Sequence, residues 1–290
     1  MSNLIQRTLS GAAYVAVVVA SILVHPLAFA GVFLIVSTLA VREWHVLLAD
    51  ERHVRWNAMI LNILLFLMSV LLMVATQYNA WSEYAMTGLT VCTALYVMML
   101  IGALVSELVL SDRALPGKHW GDLLSGQVMV GLPFACMTLL LTLDKWILLA
   151  VFVLLWTNDT MAYCTGMLTS KRKSGNHKMA PYISPKKSWE GLIGGALFTI
   201  GAAVLLSHYG WLDKVPGNGS VWYVRAIGFG VVAVVGGTLG DLMESLLKRS
   251  IGIKDSGKFL PGHGGVLDRF DSLLLAAPLL LIYILLMSFV

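Results

Sequence analysis

The chain has 290 residues, of which 58% are hydrophobic and only 12% charged, with a formal net charge of +4. Soluble domains carry about 25% charged residues, and the mean hydropathy here is +0.81. The composition falls outside the range of water-soluble domains and reads as an integral membrane protein, with no nucleic-acid partner expected.

Apolar stretches long enough to cross a bilayer, about 20 helical residues each, recur along the whole sequence at 9–24, 27–41, 57–76, 84–106, 124–142, 146–167, 185–207, 221–243 and 272–290. They are continuously apolar, without the two-residue alternation of a barrel strand, so the expected fold class is an all-α polytopic protein of about nine spans. Residues 1–290 read as one membrane domain. The first two spans are separated only by His25-Pro26, which allows a tight hairpin or one bent segment. Arg7, the apolar run from Gly11 to Val24 and the triplet Ala28-Phe29-Ala30 also mimic a cleavable signal peptide.

Basic residues set the expected orientation. Of the 20 lysines and arginines, only Lys145, Lys214 and Arg225 fall on one side of the membrane, which places the N-terminus and both large loops in the cytoplasm. With no evident transit peptide, a bacterial inner membrane is the expected location. Cys92, Cys136 and Cys164 all lie in apolar runs and argue against a disulfide framework.

Two polar stretches interrupt this pattern, with functional loops expected at 168–190 and 244–271. In the first, Asp159 stands well inside the sixth span, where a carboxylate needs a hydrated cavity or a cation, with Asn158 and Tyr163 as neighbours. Ser184-Pro185 has the form of an N-cap and first turn for the seventh helix. That would set Lys186 and Lys187 against the macrodipole, an arrangement that makes sense beside an anionic ligand.

In the second stretch, Asp241, Glu244, Ser245 and Lys248 are spaced to share one helix face, with Glu244 and Lys248 able to form an i,i+4 surface pair. Asp268 and Asp271 form another acidic pair. Mg²⁺ needs only one or two carboxylates plus substrate phosphates, and Asp241 with Asp268 is the expected metal-holding pair, Asp159 and Asp271 being further candidates. Between them, Gly262-His263-Gly264-Gly265 has the character of a phosphate cradle. Lys248, Arg249, Lys254 and Lys258 supply positive charge around it. His263 is expected to orient phosphate first and to act as a general base second; a purely structural turn histidine is the remaining reading.

The run Ser245-x-x-Lys248-Arg249, Lys254-Asp255-Ser256-Gly257, Pro261-Gly262-His263-Gly264-Gly265 and Asp268-Arg269-Phe270-Asp271 resembles the signature of the phosphatidate cytidylyltransferases, also called CDP-diacylglycerol synthases. Asn158-Asp159, His177-Lys178, Ser184-Pro185-Lys186-Lys187 and Trp189-Glu190-Gly191 resemble the same family. The segment from Gly166 to His177 departs from it by about five additional residues, which puts in doubt any role for Lys171, Arg172 or Lys173.

The resemblance implies transfer of the cytidylyl group of CTP to phosphatidate, with Mg²⁺ and a monovalent cation such as K⁺ near the acids. It implies catalytic roles for Asp241, Lys248, Arg249, His263 and Asp268. Substrate contacts are expected from Ser184, Lys186, Lys187, Ser245, Lys254, Gly262, Gly264, Gly265 and Arg269. The expected partners are CTP, phosphatidate and the bilayer, and a homodimer is compatible with the sequence. A transporter of an anionic solute is one alternative, although recognisable inverted halves are absent. Another lipid-head transferase is a second, although its usual run of aspartates along one short helix is absent.

Overall fold

A computed structural model describes residues 3–48, 52–110, 116–171, 175–217, 222–257 and 264–289. The helices are α1 (Asn3–Val24), α2 (Pro26–Leu47), α3 (Arg52–Gln77), α4 (Ser82–Leu110), α5 (Pro116–Gly126), α6 (Leu132–Leu143), α7 (Lys145–Ser170), α8 (Trp189–His208), α9 (Trp222–Ser250), α10 (Leu267–Phe270) and α11 (Leu273–Met287). Among the described residues, eight helical segments are long and apolar enough to cross a membrane, and the shorter apolar segment Thr8–Val24 makes a ninth. The protein is therefore an all-α polytopic membrane protein of about nine spans.

The chain divides into two compact units: residues 1–142 with 255–269, and residues 143–254 with 270–290. In the first unit, His25 breaks α1 from α2 and resolves the two readings of that region in favour of separate helices. Its backbone is extended (φ −164°), its Nδ1 accepts from the Leu27 N–H at 3.1 Å, and Pro26 opens α2 without needing a hydrogen bond. The two helices then pack on one another.

The expected span 124–142 is interrupted by a π-helical turn at Gln127–Gly131. Pro133 explains the interruption, because it lacks an N–H and its ring crowds the carbonyl of Met129 one turn earlier; widening the helix relieves both. One buried amide fastens this turn to α3, and another joins α3 to α2. Gln127 Nε2 donates to Ala58 O at 2.9 Å, and Asn62 Nδ2 donates to Ser37 Oγ at 3.2 Å.

In the second unit, Asp144 caps α7 by accepting from the Trp146 N–H at 2.8 Å and pairs with Lys214 at 3.1 Å. At the same end, Tyr283 Oη donates to Arg225 O at 2.9 Å, tying α11 to α9. A two-stranded antiparallel sheet, β1 (Lys178–Ala180) and β2 (Ser184–Ser188), is the element the helical pattern does not anticipate.

This hairpin corrects the expected start of the seventh long helix. Ser184-Pro185 does not cap it; both residues lie in β2, after a turn with Pro181 in the position that proline favours and an Ile183 N–H to Ala180 O bond of 3.2 Å. Ser188 is the cap, accepting from the Gly191 N–H at 3.2 Å. Lys186 and Lys187 consequently sit on a strand and not in a helical first turn, so the expected conflict with a macrodipole does not arise.

Candidate functional site

In the second unit, four pieces of chain bring polar groups together at or beside a cavity of about 180 Å³, lined by residues that include Asn158, Asp159, Lys186, Lys187, Ser188 and Thr238. Helix α7 delivers Asn158 and Asp159, and β2 delivers the lysines. From α9 comes Asp241, whose Oδ2 pairs with Lys187 Nζ at 2.7 Å and whose Oδ1 accepts from Ser245 Oγ at 3.2 Å. The start of α11 adds Ser272, whose hydroxyl donates to Asp159 Oδ2 at 3.5 Å, and Asp271, which accepts from the Ser272 N–H at 2.7 Å.

The carboxylates are close enough to feel one another. Asp159 lies within electrostatic range of Asp241 and Lys187, and Asp271 within range of Asp241, Glu244 and Asp159. Such a concentration of negative charge on apolar helices is costly unless cations or water accompany it. Lys187 supplies one positive charge from within the chain. Asn158, only 3% exposed, also lines this cavity, and among the described residues its Oδ1 has no hydrogen-bond partner.

Glycine makes the convergence possible. A Cβ at Gly236 would stand 2.7 Å from Ala276 Cα, and one at Gly240 would stand 2.5 Å from Asp271 O. With small residues at i and i+4, α9 and α11 approach closely, as small-residue pairs permit in membrane helices, and Asp241 follows directly after the second contact. Gly240→Ala is expected to lower stability by about 1–3 kcal/mol through overpacking, although alanine favours a helix by about 1 kcal/mol. Thermal unfolding in detergent measures it; an unchanged melting temperature would refute the close-packing role.

Glu244 and Lys248 form an ion pair, but it is not a surface one: the residues are 0% and 7% exposed. Lys248 therefore meets a carboxylate of its own helix inside the protein. Arg249 is exposed and reaches back to two carbonyls, Ile253 O at 2.7 Å and Ile183 O at 3.3 Å, the second joining the end of α9 to the hairpin turn. Ser184 is half-buried, and Lys186 and Lys254 are exposed.

Asp268, Arg269, Gly264 and Gly265 belong to the first unit. There, one oxygen of Asp268 accepts from the Gly265 N–H at 2.7 Å, the Ser256 N–H at 2.9 Å and Ser256 Oγ at 2.9 Å. The glycine turn thus presents an N–H to a carboxylate of the chain itself, and Gly264 takes the left-handed backbone (φ +85°) that glycine tolerates. The carbonyl of Arg269 accepts from Tyr14 Oη at 3.1 Å. Gly262, His263, Arg172 and Lys173 lie outside the described residues.

One participant has no local sequence signal. Glu43 on α2 accepts from the Leu267 N–H at 3.0 Å and from Ser256 Oγ at 3.3 Å, so a residue of the second helix organises the signature loop. Ser188 and Ser272 also escape notice, since a serine at a helix start has an ordinary reading as a cap. Glu190 accepts from both the backbone N–H of His177 at 3.1 Å and its Nδ1 at 2.7 Å, pinning the entry to the hairpin.

Fold and site together define a polytopic helical membrane protein whose acids and lysines gather beside a cavity among its helices. Within that class, the chain belongs to the cytidylyltransferase family, whose sequence pattern matches residues 5–287. It is 42% identical over 133 residues to a phosphatidate cytidylyltransferase of Haemophilus influenzae, a match covering 46% of this chain and 43% of the relative. A phosphatidate cytidylyltransferase of Staphylococcus haemolyticus is 41% identical over 133 residues, covering 46% of each chain. One of Staphylococcus epidermidis is 42% identical over 136 residues, covering 47% of each. The matched segments span less than half the length of each of these relatives.

Proposed function

We propose that this protein transfers the cytidylyl group of CTP to phosphatidate, giving CDP-diacylglycerol and pyrophosphate. The observation that carries the reading is the Lys187–Asp241 pair beside a cavity that Asp159 and Asn158 also line. Family membership and the names of the relatives point the same way. Lysines on β2 suit an anionic ligand, and the acids suit the cation that accompanies nucleotide phosphates.

The donor set fits Mg²⁺, which takes hard oxygen ligands and retains waters. Among the described residues, no group of three or more histidine, cysteine or acidic side chains closes on a single point, and a site completed by substrate phosphates does not require one. Asp241 would hold the ion, with Asp159 and Asp271 beside it; Asp268 joins them on the resemblance alone, as does a monovalent cation such as K⁺. When bound, Mg²⁺ supplies charge neutralisation across the nucleotide phosphates.

In this reading, Lys186 and Lys187 attract and orient phosphate, and Lys187 exchanges its bond with Asp241 for one to substrate. The lipid phosphate attacks the α-phosphorus directly, its own charge making it a nucleophile without a protein base. Pyrophosphate leaves as its charge is offset by surrounding cationic groups, the kind of preorganised electrostatics that dominates phosphoryl transfer. Ser245 supports Asp241. The basic side of the topology, which carries both large loops, is proposed to face the cytoplasm of an inner membrane, where CTP is available.

The test is a purified protein supplied with Mg²⁺, CTP and phosphatidate. The expected outcome is pyrophosphate and a lipid carrying cytidine, with diacylglycerol inert and cytidine label never attached to the protein. Pyrophosphate released without phosphatidate would identify a hydrolase instead. An absence of CTP turnover with every lipid tried would overturn the reading.

A further inference from the structure

The first unit contains a cationic feature of its own. Helices α2 and α3 border a cleft of about 250 Å³ lined by Arg42, Val46, Arg52, Arg55, Trp56 and Met59. Three arginines line it, and among the described residues no acid does. Glu43, next to Arg42 in sequence, is engaged with Ser256 and Leu267. Asp50 and Glu51 lie outside the described residues.

The rest of the cleft is apolar and open. Trp56 is 52% exposed and Val46 44% exposed, and Ile60, one turn beyond Trp56 on the same helix, is 41% exposed. Helix α3 is one of the membrane-crossing segments, and Arg52 and Arg55 stand at its start. Arginines and apolar side chains lining one cleft, with an exposed indole among them, match the polarity profile of a phospholipid at the membrane surface. A free anion would use the arginines but leave the wall without a role.

Charge narrows the occupant. A phosphomonoester carries about −1.5 to −2 at neutral pH, a phosphodiester head carries one negative charge, and a zwitterionic head carries none. Guanidinium forks also suit terminal phosphate oxygens, which a phosphomonoester presents in greatest number. We infer that this cleft docks a phospholipid with a phosphomonoester head, its acyl chains lying along Val46, Trp56 and Ile60. The occupant has the chemistry of the lipid in the proposed reaction, but the inference stands on the cleft and is read without CTP.

The experiment is native mass spectrometry of delipidated protein in detergent, titrated with phosphatidate, phosphatidylglycerol or phosphatidylcholine. Wild type should carry one more tightly bound phosphatidate than the Arg42→Gln/Arg52→Gln/Arg55→Gln variant, whose affinity for that lipid falls by at least about tenfold. Phosphatidylcholine binding should be the same in both. Trp56→Ser should weaken phosphatidate while leaving competition by inorganic phosphate unchanged. The melting temperature of the lipid-free triple variant checks its folding; if it does not fold, the exposed Arg42→Gln variant alone should show a smaller loss in the same direction. Equal phosphatidate binding by wild type and folded variant overturns the inference, and so does an equal loss of phosphatidylcholine. Displacement of the lipid by inorganic phosphate as effectively as by phosphatidate would make this a free-anion site, and would overturn the lipid assignment. Loss of CTP turnover with lipid binding intact would bear on the proposed reaction alone.

Discussion

Asp241→Asn is expected to reduce cytidylyl transfer by well over tenfold while leaving the protein folded in detergent. The substitution keeps the shape of the side chain and removes the charge that pairs with Lys187 at 2.7 Å and that would hold Mg²⁺. A tenfold loss corresponds to about 1.4 kcal/mol in the barrier, so activity above a tenth of wild type would remove Asp241 from the essential ligands. Lys187→Met separates two roles: if Asp241 serves only to hold Lys187, the two variants should respond identically to added Mg²⁺. If Asp241 holds the cation, only Asp241→Asn should require more Mg²⁺ for half-maximal turnover. Asp268→Asn is expected to lose activity to a similar extent, and its thermal stability tests whether the three donors that converge on its Oδ2 are also needed to keep the loop in place.

Lys248→Met is expected to destabilise the second unit by about 3–5 kcal/mol, because it removes the paired cation from a fully buried carboxylate at Glu244. Removing both charges, in Glu244→Gln/Lys248→Met, should recover most of that loss, since a buried pair replaced by neutral groups of similar volume is often nearly neutral. Chemical denaturation in detergent reads the difference between single and double variants. A single variant as stable as wild type would show that water reaches the pair. The double variant also decides whether Lys248 acts on phosphate: folded and inactive supports the catalytic assignment, whereas folded and active reduces Lys248 to a structural partner.

The membrane-spanning pattern was readable because each helix must be apolar along its whole length to cross a bilayer, and His25-Pro26 announced a break. Other features depend on competition that composition does not expose. Ser184-Pro185 carries a good helix-start signature, yet the Pro181 turn and pairing with β1 draw it into a strand, and Ser188 four residues later takes the capping role. Glu244 and Lys248 have the spacing of a surface pair, and only packing shows that they are inside. The glycine turn at 264–265 resembles a cradle for an external anion, while geometry brings Asp268 to the Gly265 N–H. Glu43 was illegible for a simpler reason: nothing within a few residues of it hints at partners beyond residue 250.

That long separation has a temporal consequence. Glu43 meets Ser256 and Leu267 across 213 and 224 positions of sequence. At a synthesis rate of about 5–20 residues per second, α2 emerges roughly ten seconds or more before the backbone that will donate to its carboxylate. During that interval, the acid must rely on water or a transient cation, because its final donors have not been made. Closing such a distant loop is also among the slower steps of assembly. The signature loop should consequently acquire protection from hydrogen exchange late, after the first helices have settled. A ribosome-bound chain stopped before residue 256 should hold α2 in a state more readily cleaved by a membrane protease than the finished protein.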